Sequence, residues 1–162
     1  SELFTGISNR SITRSIILGS IVFIIWILPE GLYPYLGYSE FDPTEVSHLP
    51  LRYLVIIFRV LGAALVVPIF EELFWRSFLA RWIIQTDFKK VQIGYFTPLS
   101  FVIISLFFGI EHHRWLVGIA AGILYNWLLY KEKKLLPCII AHLVTNLLLA
   151  SYVLITSQWS YW

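Results

Sequence analysis

Three short groups of ionisable and amide side chains interrupt long apolar stretches: Glu71 to Arg76 (EELFWR), Phe108 to Arg114 (FGIEHHR) and His142 to Asn146 (HLVTN). On a helix, Glu72 and Arg76 are i and i+4, one above the other, so they can neutralise each other. Glu71 is rotated about 100° from Glu72 and faces elsewhere. A carboxylate held out of water without its own cation suits general-base work, which singles out Glu71 over Glu72. His142 and Asn146 are again i and i+4, and an imidazole and an amide aimed at one point are what an oxyanion site requires. His112 closes an apolar run beside two further candidates, Glu111 and His113. The same spacings also admit a plain structural reading. In it, the two glutamates hold helices together through Arg76, and the histidines are hydrogen-bonded residues at the end of a span.

The elements that must position these residues are membrane segments. Of the 162 residues, 58% are hydrophobic and 14% charged, against about 25% charged in an ordinary soluble domain. The mean hydropathy is +0.75, which excludes a soluble globular domain. The net charge of +2 comes from basic residues in short clusters between apolar runs, so nucleic-acid binding is not indicated. Cys138, the single cysteine, lies inside an apolar run and reads as packing. The chain starts at Ser1 and has no methionine, which reads as a trimmed or engineered chain, one that could lack membrane segments upstream. Ile12 to Leu28 reads as a retained helix, not a cleaved leader.

Five apolar segments are expected, from Ile12 to Leu28, Tyr53 to Ile84, Pro98 to Ile110, Trp115 to Tyr130 and Leu135 to about Thr156. The fold class is therefore all-α, a multi-pass transmembrane bundle of about five spans forming a single integral membrane domain over residues 1–162. The second segment is too long for one untilted span, and Pro68 is expected to kink or split it. Between the first two segments lies an acidic, aromatic loop with Glu30, Glu40, Asp42 and Glu45. Arg10, Arg14, Arg81, Lys89, Lys90, Lys131, Lys133 and Lys134 fall in alternate loops. That pattern places the N-terminus in the cytoplasm and the aromatic tail Trp159, Tyr161 and Trp162 outside, with Arg52 and Arg114 as minority evidence against it. Counted from the cytoplasmic ends, Glu71, His112 and His142 lie roughly 15, 21 and 12 Å deep. Three helices thus bring their polar residues toward mid-membrane, as one site would.

In order, EExxxR at Glu71 to Arg76, FxxxH at Phe108 to His112 and HxxxN at His142 to Asn146 resemble the motifs of the CAAX protease and bacteriocin-processing family, also called Abi. Its members are glutamic intramembrane proteases, and the resemblance covers about residues 67–149. It implies that Glu71 and His112 activate a water, that His142 and Asn146 stabilise the oxyanion, and that Glu72 and Arg76 organise the site, with no cofactor and no metal. Glu111 and His113 lie outside the general family pattern. The wording FGIEHHRW, GILYNWLLY and QWSYW is similar to the branch found beside bacterial exosortase systems. This implies an inner-membrane role in envelope protein sorting, with membrane lipid, a protein or peptide substrate and exosortase components as partners, and no nucleic acid. Characterised members usually have more than five helices, which implies missing segments or a second copy around the substrate cavity.

Rival chemistries remain. Zinc could be held by Glu71, His112, His113 and His142, but HExxH is absent. Asp42 and Asp87 are both in loops, against an aspartyl protease, and Ser105 lacks the surroundings of a serine dyad. Cys138 and His142 are i and i+4, but an apolar setting disfavours the thiolate. A non-catalytic scaffold or transporter would use the same buried groups to grip a peptide or relay protons.

Overall fold

Helices form in the five places expected. The structure, a computed structural model, describes residues 6–37 and 42–161, and among these there is no strand. Glu40 and Trp162 lie outside the described residues. We label the helices α1 (Asn9–Ile27), α2 (Leu49–Trp82), α3 (Pro98–Ile110), α4 (Trp115–Glu132) and α5 (Leu136–Thr156). Of these, α1, α2 and α5 are long and apolar enough to cross a membrane. The 13 residues of α3 reach only about 20 Å, short of a hydrocarbon core of roughly 30 Å. The protein is a membrane helix bundle.

Local chemistry sets the helix ends. Ser8 caps α1 by accepting from the Ser11 N–H, and Thr97 caps α3 by accepting from the Ser100 N–H, with Pro98 at the first helical position. Lys133 and Ser157 stop α4 and α5 in the left-handed conformation, at φ of 54° and 57°.

Of the two outcomes expected at Pro68, a kink or a split, the split does not occur. The helix runs unbroken from Leu49 to Trp82 because a π-helical stretch, Gly62–Val66, precedes the proline. The Val67 N–H reaches back five residues to the Gly62 carbonyl. Widening the turn there relieves the clash a proline ring makes with the preceding turn of an α-helix. A second π-helical stretch, Leu73–Leu79, follows Glu72.

Close packing in hydrocarbon relies on small residues, because lipid tails are as apolar as leucine and provide no hydrophobic drive between helices. The α3–α4 and α1–α5 pairs make the most extensive contacts. Gly118 and Gly122 of α4 lie on one face, against Gly109 and Ser105 of α3. Gly19 of α1 lies directly on the Ala141 carbonyl of α5. Outward-facing apolar side chains such as Ile17, Phe58, Leu99 and Ile155 suit a hydrocarbon surround.

Arg81, Lys89, Lys90, Lys133 and Lys134 line one shared pocket and so gather at one end of the bundle. Arg14 joins that end to α4 through Glu132 at 2.8 Å. At the opposite end, Arg114 grips both Glu30 oxygens at 2.8 and 3.0 Å and donates to the Ser160 carbonyl at 2.8 Å. Its guanidinium lies 3.9 Å from the Tyr161 ring centre, fastening the tail over the bundle.

Two outcomes follow from this packing. A side chain at Gly118 would meet the Gly109 Cα at 2.9 Å, so Gly118→Val and Gly19→Val should each destabilise by about 1–3 kcal/mol. Gly62→Ala, with nothing within 4 Å, should be neutral or slightly stabilising; denaturant or thermal unfolding in detergent reads all three. Burial pushes the Glu30 carboxyl up, but hydrogen bonds from Arg114, Tyr161 and Tyr35 outweigh that and hold it below its ordinary value of 4.5. Its contribution to tail docking is thus fully present above pH 4.5 and is lost as pH falls through the lowered folded value. Hydrogen exchange over 157–161 should rise on acidification in the wild type, while Glu30→Gln should start high and change little.

Candidate active site

Arg76 is buried completely and is the hub of the polar interior. Its NH1 donates to Glu72 Oε1 at 3.1 Å, one helical turn back, and its Nε donates to Asn126 Oδ1 at 3.2 Å. Asn126 in turn donates to Ser105 Oγ at 3.0 Å. The guanidinium also lies 4.1 Å from the centre of the Phe108 ring, where a π-face partly replaces lost hydration. The i, i+4 pairing of Glu72 with Arg76 thus forms as the sequence predicts.

Glu72 reaches a second partner across the bundle. Its Oε1 lies 3.0 Å from His142 Nδ1, and since a carboxylate only accepts, the network assigns the Nδ1 proton to this bond. Tyr125 stacks on the imidazole with ring centres 5.1 Å apart and planes 24° from parallel. The Tyr125 hydroxyl is fixed by donating to Thr145 Oγ1 at 2.8 Å. Thr145 Oγ1 lies 2.8 Å from the Gly19 carbonyl and 3.0 Å from that of Ala141. His142 is therefore oriented from two sides, and its Nε2 edge turns to Glu71 Oε2 at 4.0 Å.

Glu71 faces away from Arg76, as expected, and its Oε2 is buried without a hydrogen-bond partner. It borders a cavity of about 460 Å³ that is also lined by His112, His142 and Asn146. His112 sits in the turn after α3, with Nδ1 2.6 Å from the Phe108 carbonyl. That carbonyl can only accept, so Nδ1 carries the proton and Nε2 keeps a free lone pair. Trp26 packs edge-on against the ring at 5.3 Å.

Asn146 has a use the sequence did not reveal. In the widened register of α2 the next donor after Val67 is Pro68, which has no N–H. The carbonyl left over is that of Ala63, and Asn146 Nδ2 donates to it at 2.7 Å. An amide has two N–H groups, so the second remains for the cavity.

The structure thus brings together Glu71, His112, His142 and Asn146, with Glu72 and Arg76 behind them. Glu111 belongs with this group. An oxygen of Glu71, one of Glu111 and a nitrogen of His112 all lie within 4.8 Å of one another, a separation that a water or a divalent cation can bridge. Glu111 Oε1 is held by the Trp75 indole N–H at 2.8 Å. His113 points elsewhere, its Nδ1 2.6 Å from the Leu36 carbonyl in the α1–α2 loop. Ser105 donates to the Phe101 carbonyl at 2.8 Å and serves as a structural link. Of the residues that sequence reasoning missed, Asn126 carried a signal, since an amide amid apolar residues needs a partner. Tyr125, Thr145 and Trp75 carried none.

Residues 52–148, more than half of the chain, match the model of the type II CAAX prenyl endopeptidase Rce1-like family. The chain belongs to this family. Neither a curated protein nor a solved structure matches it. Membership in the Rce1-like family makes this a membrane protein of the CAAX-type intramembrane protease class, and the matched residues run from α2 into α5, enclosing all three polar groups.

Breaking the buried ion pair from one side leaves an uncompensated charge. Arg76→Met should therefore cost about 3–5 kcal/mol, measured by unfolding in detergent, and the added change Glu72→Gln should recover much of the loss. A double variant no better than the single would mean that the carboxylate is not what suffers.

Proposed function

We propose that the protein is an intramembrane glutamic-type endopeptidase that cuts a membrane-associated protein or peptide. The observation that carries this reading is the meeting of Glu71, His112, His142 and Asn146 around one cavity, from two helices and a turn. Glu71 and the free nitrogen of His112 accept hydrogen bonds from a water and direct its oxygen at the scissile carbonyl. The second N–H of Asn146 and the Nε2 edge of His142 stabilise the oxyanion. His142 donates there when its ring is doubly protonated, and the Glu72 carboxylate beside Nδ1 is the counter-charge. Glu72 and Arg76 position His142 and do not touch the substrate. Family membership supports proteolysis as the reaction, and the site needs no metal in this scheme.

The substrate we propose is the C-terminal region of a membrane-anchored envelope protein, processed at the bacterial inner membrane alongside an exosortase system. The motif wording FGIEHHRW and the aromatic tail support that assignment. Liposomes holding the whole chain, offered anchored C-terminal sorting-signal peptides and a prenylated CAAX peptide, provide the test. Wild type should cleave a sorting signal with chelator present, and Glu71→Gln and His142→Ala should each lose at least ~100-fold in kcat/KM. Loss on chelation would overturn the metal-free scheme. Full activity in Glu71→Gln would overturn the site, and cleavage of the prenylated peptide alone would overturn the substrate assignment.

A further inference from the structure

We propose that Glu111 is the general acid of this site, delivering a proton to the nitrogen of the leaving amine. The inference rests on the protease reading above and adds a residue outside the three motifs. Water activation and oxyanion binding leave one requirement open, because an amide nitrogen departs as an amine only if it is protonated as the C–N bond breaks.

Three observations assign that task to Glu111. Its carboxyl oxygen lies within 4.8 Å of both the Glu71 oxygen and a His112 nitrogen, so it borders the place where the water must sit. The Trp75 indole N–H holds Oε1 at 2.8 Å, which makes Oε1 the accepting oxygen and leaves Oε2 to carry a proton. Glu111 also lines a second pocket of about 220 Å³, which shares Trp26, His112 and Tyr161 with the main cavity. A peptide whose carbonyl points at His142 and Asn146 has its acyl side in the main cavity. The amine side then passes His112 into the second pocket, beside Glu111.

The protons balance. Glu111 enters the cycle protonated, since its oxygen lies within 4.8 Å of that of Glu71 and two carboxylates this close do not readily both hold a charge. Glu71 takes a proton from water as the oxygen bonds to the carbonyl carbon. Glu111 gives its proton to nitrogen as the C–N bond breaks, and Glu71 then returns the water's proton to Glu111. One water and one amide become one acid and one amine, with both glutamates restored.

The experiment compares an anchored peptide that the reconstituted wild type cleaves with its depsipeptide, in which an ester oxygen replaces the scissile N–H. An alkoxide leaves without full protonation, so an ester bypasses the acid. Glu111→Gln keeps an acceptor for Trp75 and should lose ~100-fold or more in kcat on the amide, while staying within a few-fold of wild type on the ester. Glu111→Asp, which keeps the acid on a shorter arm, should recover part of the amide activity. Equal losses on amide and ester would overturn the assignment as merely structural, and no loss on the amide would overturn it outright. Glu71→Gln should lose both reactions. If it loses neither, the protease site itself is wrong, so that failure is separable from failure of Glu111.

Discussion

The polar interior depends on one buried cation. Arg76 has no contact with solvent, and a bare guanidinium in such a place would be prohibitively costly. Glu72, Asn126 and the Phe108 ring lie around it. Each ties a different helix to α2: Asn126 brings in α4, Phe108 brings in α3, and Glu72 passes the connection to His142 on α5. Hydrocarbon gives helices little reason to prefer one neighbour over another, so these few directional contacts settle which faces meet.

The site inherits its order from that arrangement. His142 cannot rotate without losing either Glu72 or the Tyr125 ring, and Tyr125 cannot move without releasing Thr145, which sits on the carbonyls of both α1 and α5. In the proposed reaction, a side chain that must meet a short-lived charge is therefore set before substrate arrives, at no cost during the reaction. Glu71 differs in having no cation of its own, and one of its buried oxygens, like Oε2 of Glu72, goes unpartnered. Such a group is unfavourable for stability and suited to chemistry.

Much of this was legible in the sequence because it is local. Helical periodicity alone gives the stacking of Glu72 on Arg76 and the shared face of His142 and Asn146. What could not be read are contacts across the bundle. The sequence EHHR does not say that Glu111 turns toward Glu71 while His113 turns toward Leu36, because the bend after α3 decides it. Nor does a proline at 68 say whether a helix breaks or widens. That depends on whether the carbonyl it strands finds a partner, and Asn146 is 83 positions away from Ala63. The small-residue faces at Ser105–Gly109 and Gly118–Gly122 are read only in the folded hairpin that brings them together.

The first 13 residues of α2, Leu49–Leu61, bury no side chain, and the i→i+4 ladder is already interrupted just beyond them. An arm that exchanges lipid for lipid when it leans gains and loses almost nothing in transfer free energy. Arg59 of this arm, with Gly62, Ala63 and Val67 just beyond it, forms one wall of the cavity. The wall that a bilayer-dwelling chain would have to pass thus hinges on an arm with no buried side chain. A directional tether at its base, from Asn146 to Ala63, is made by a residue that the proposed reaction itself would call upon.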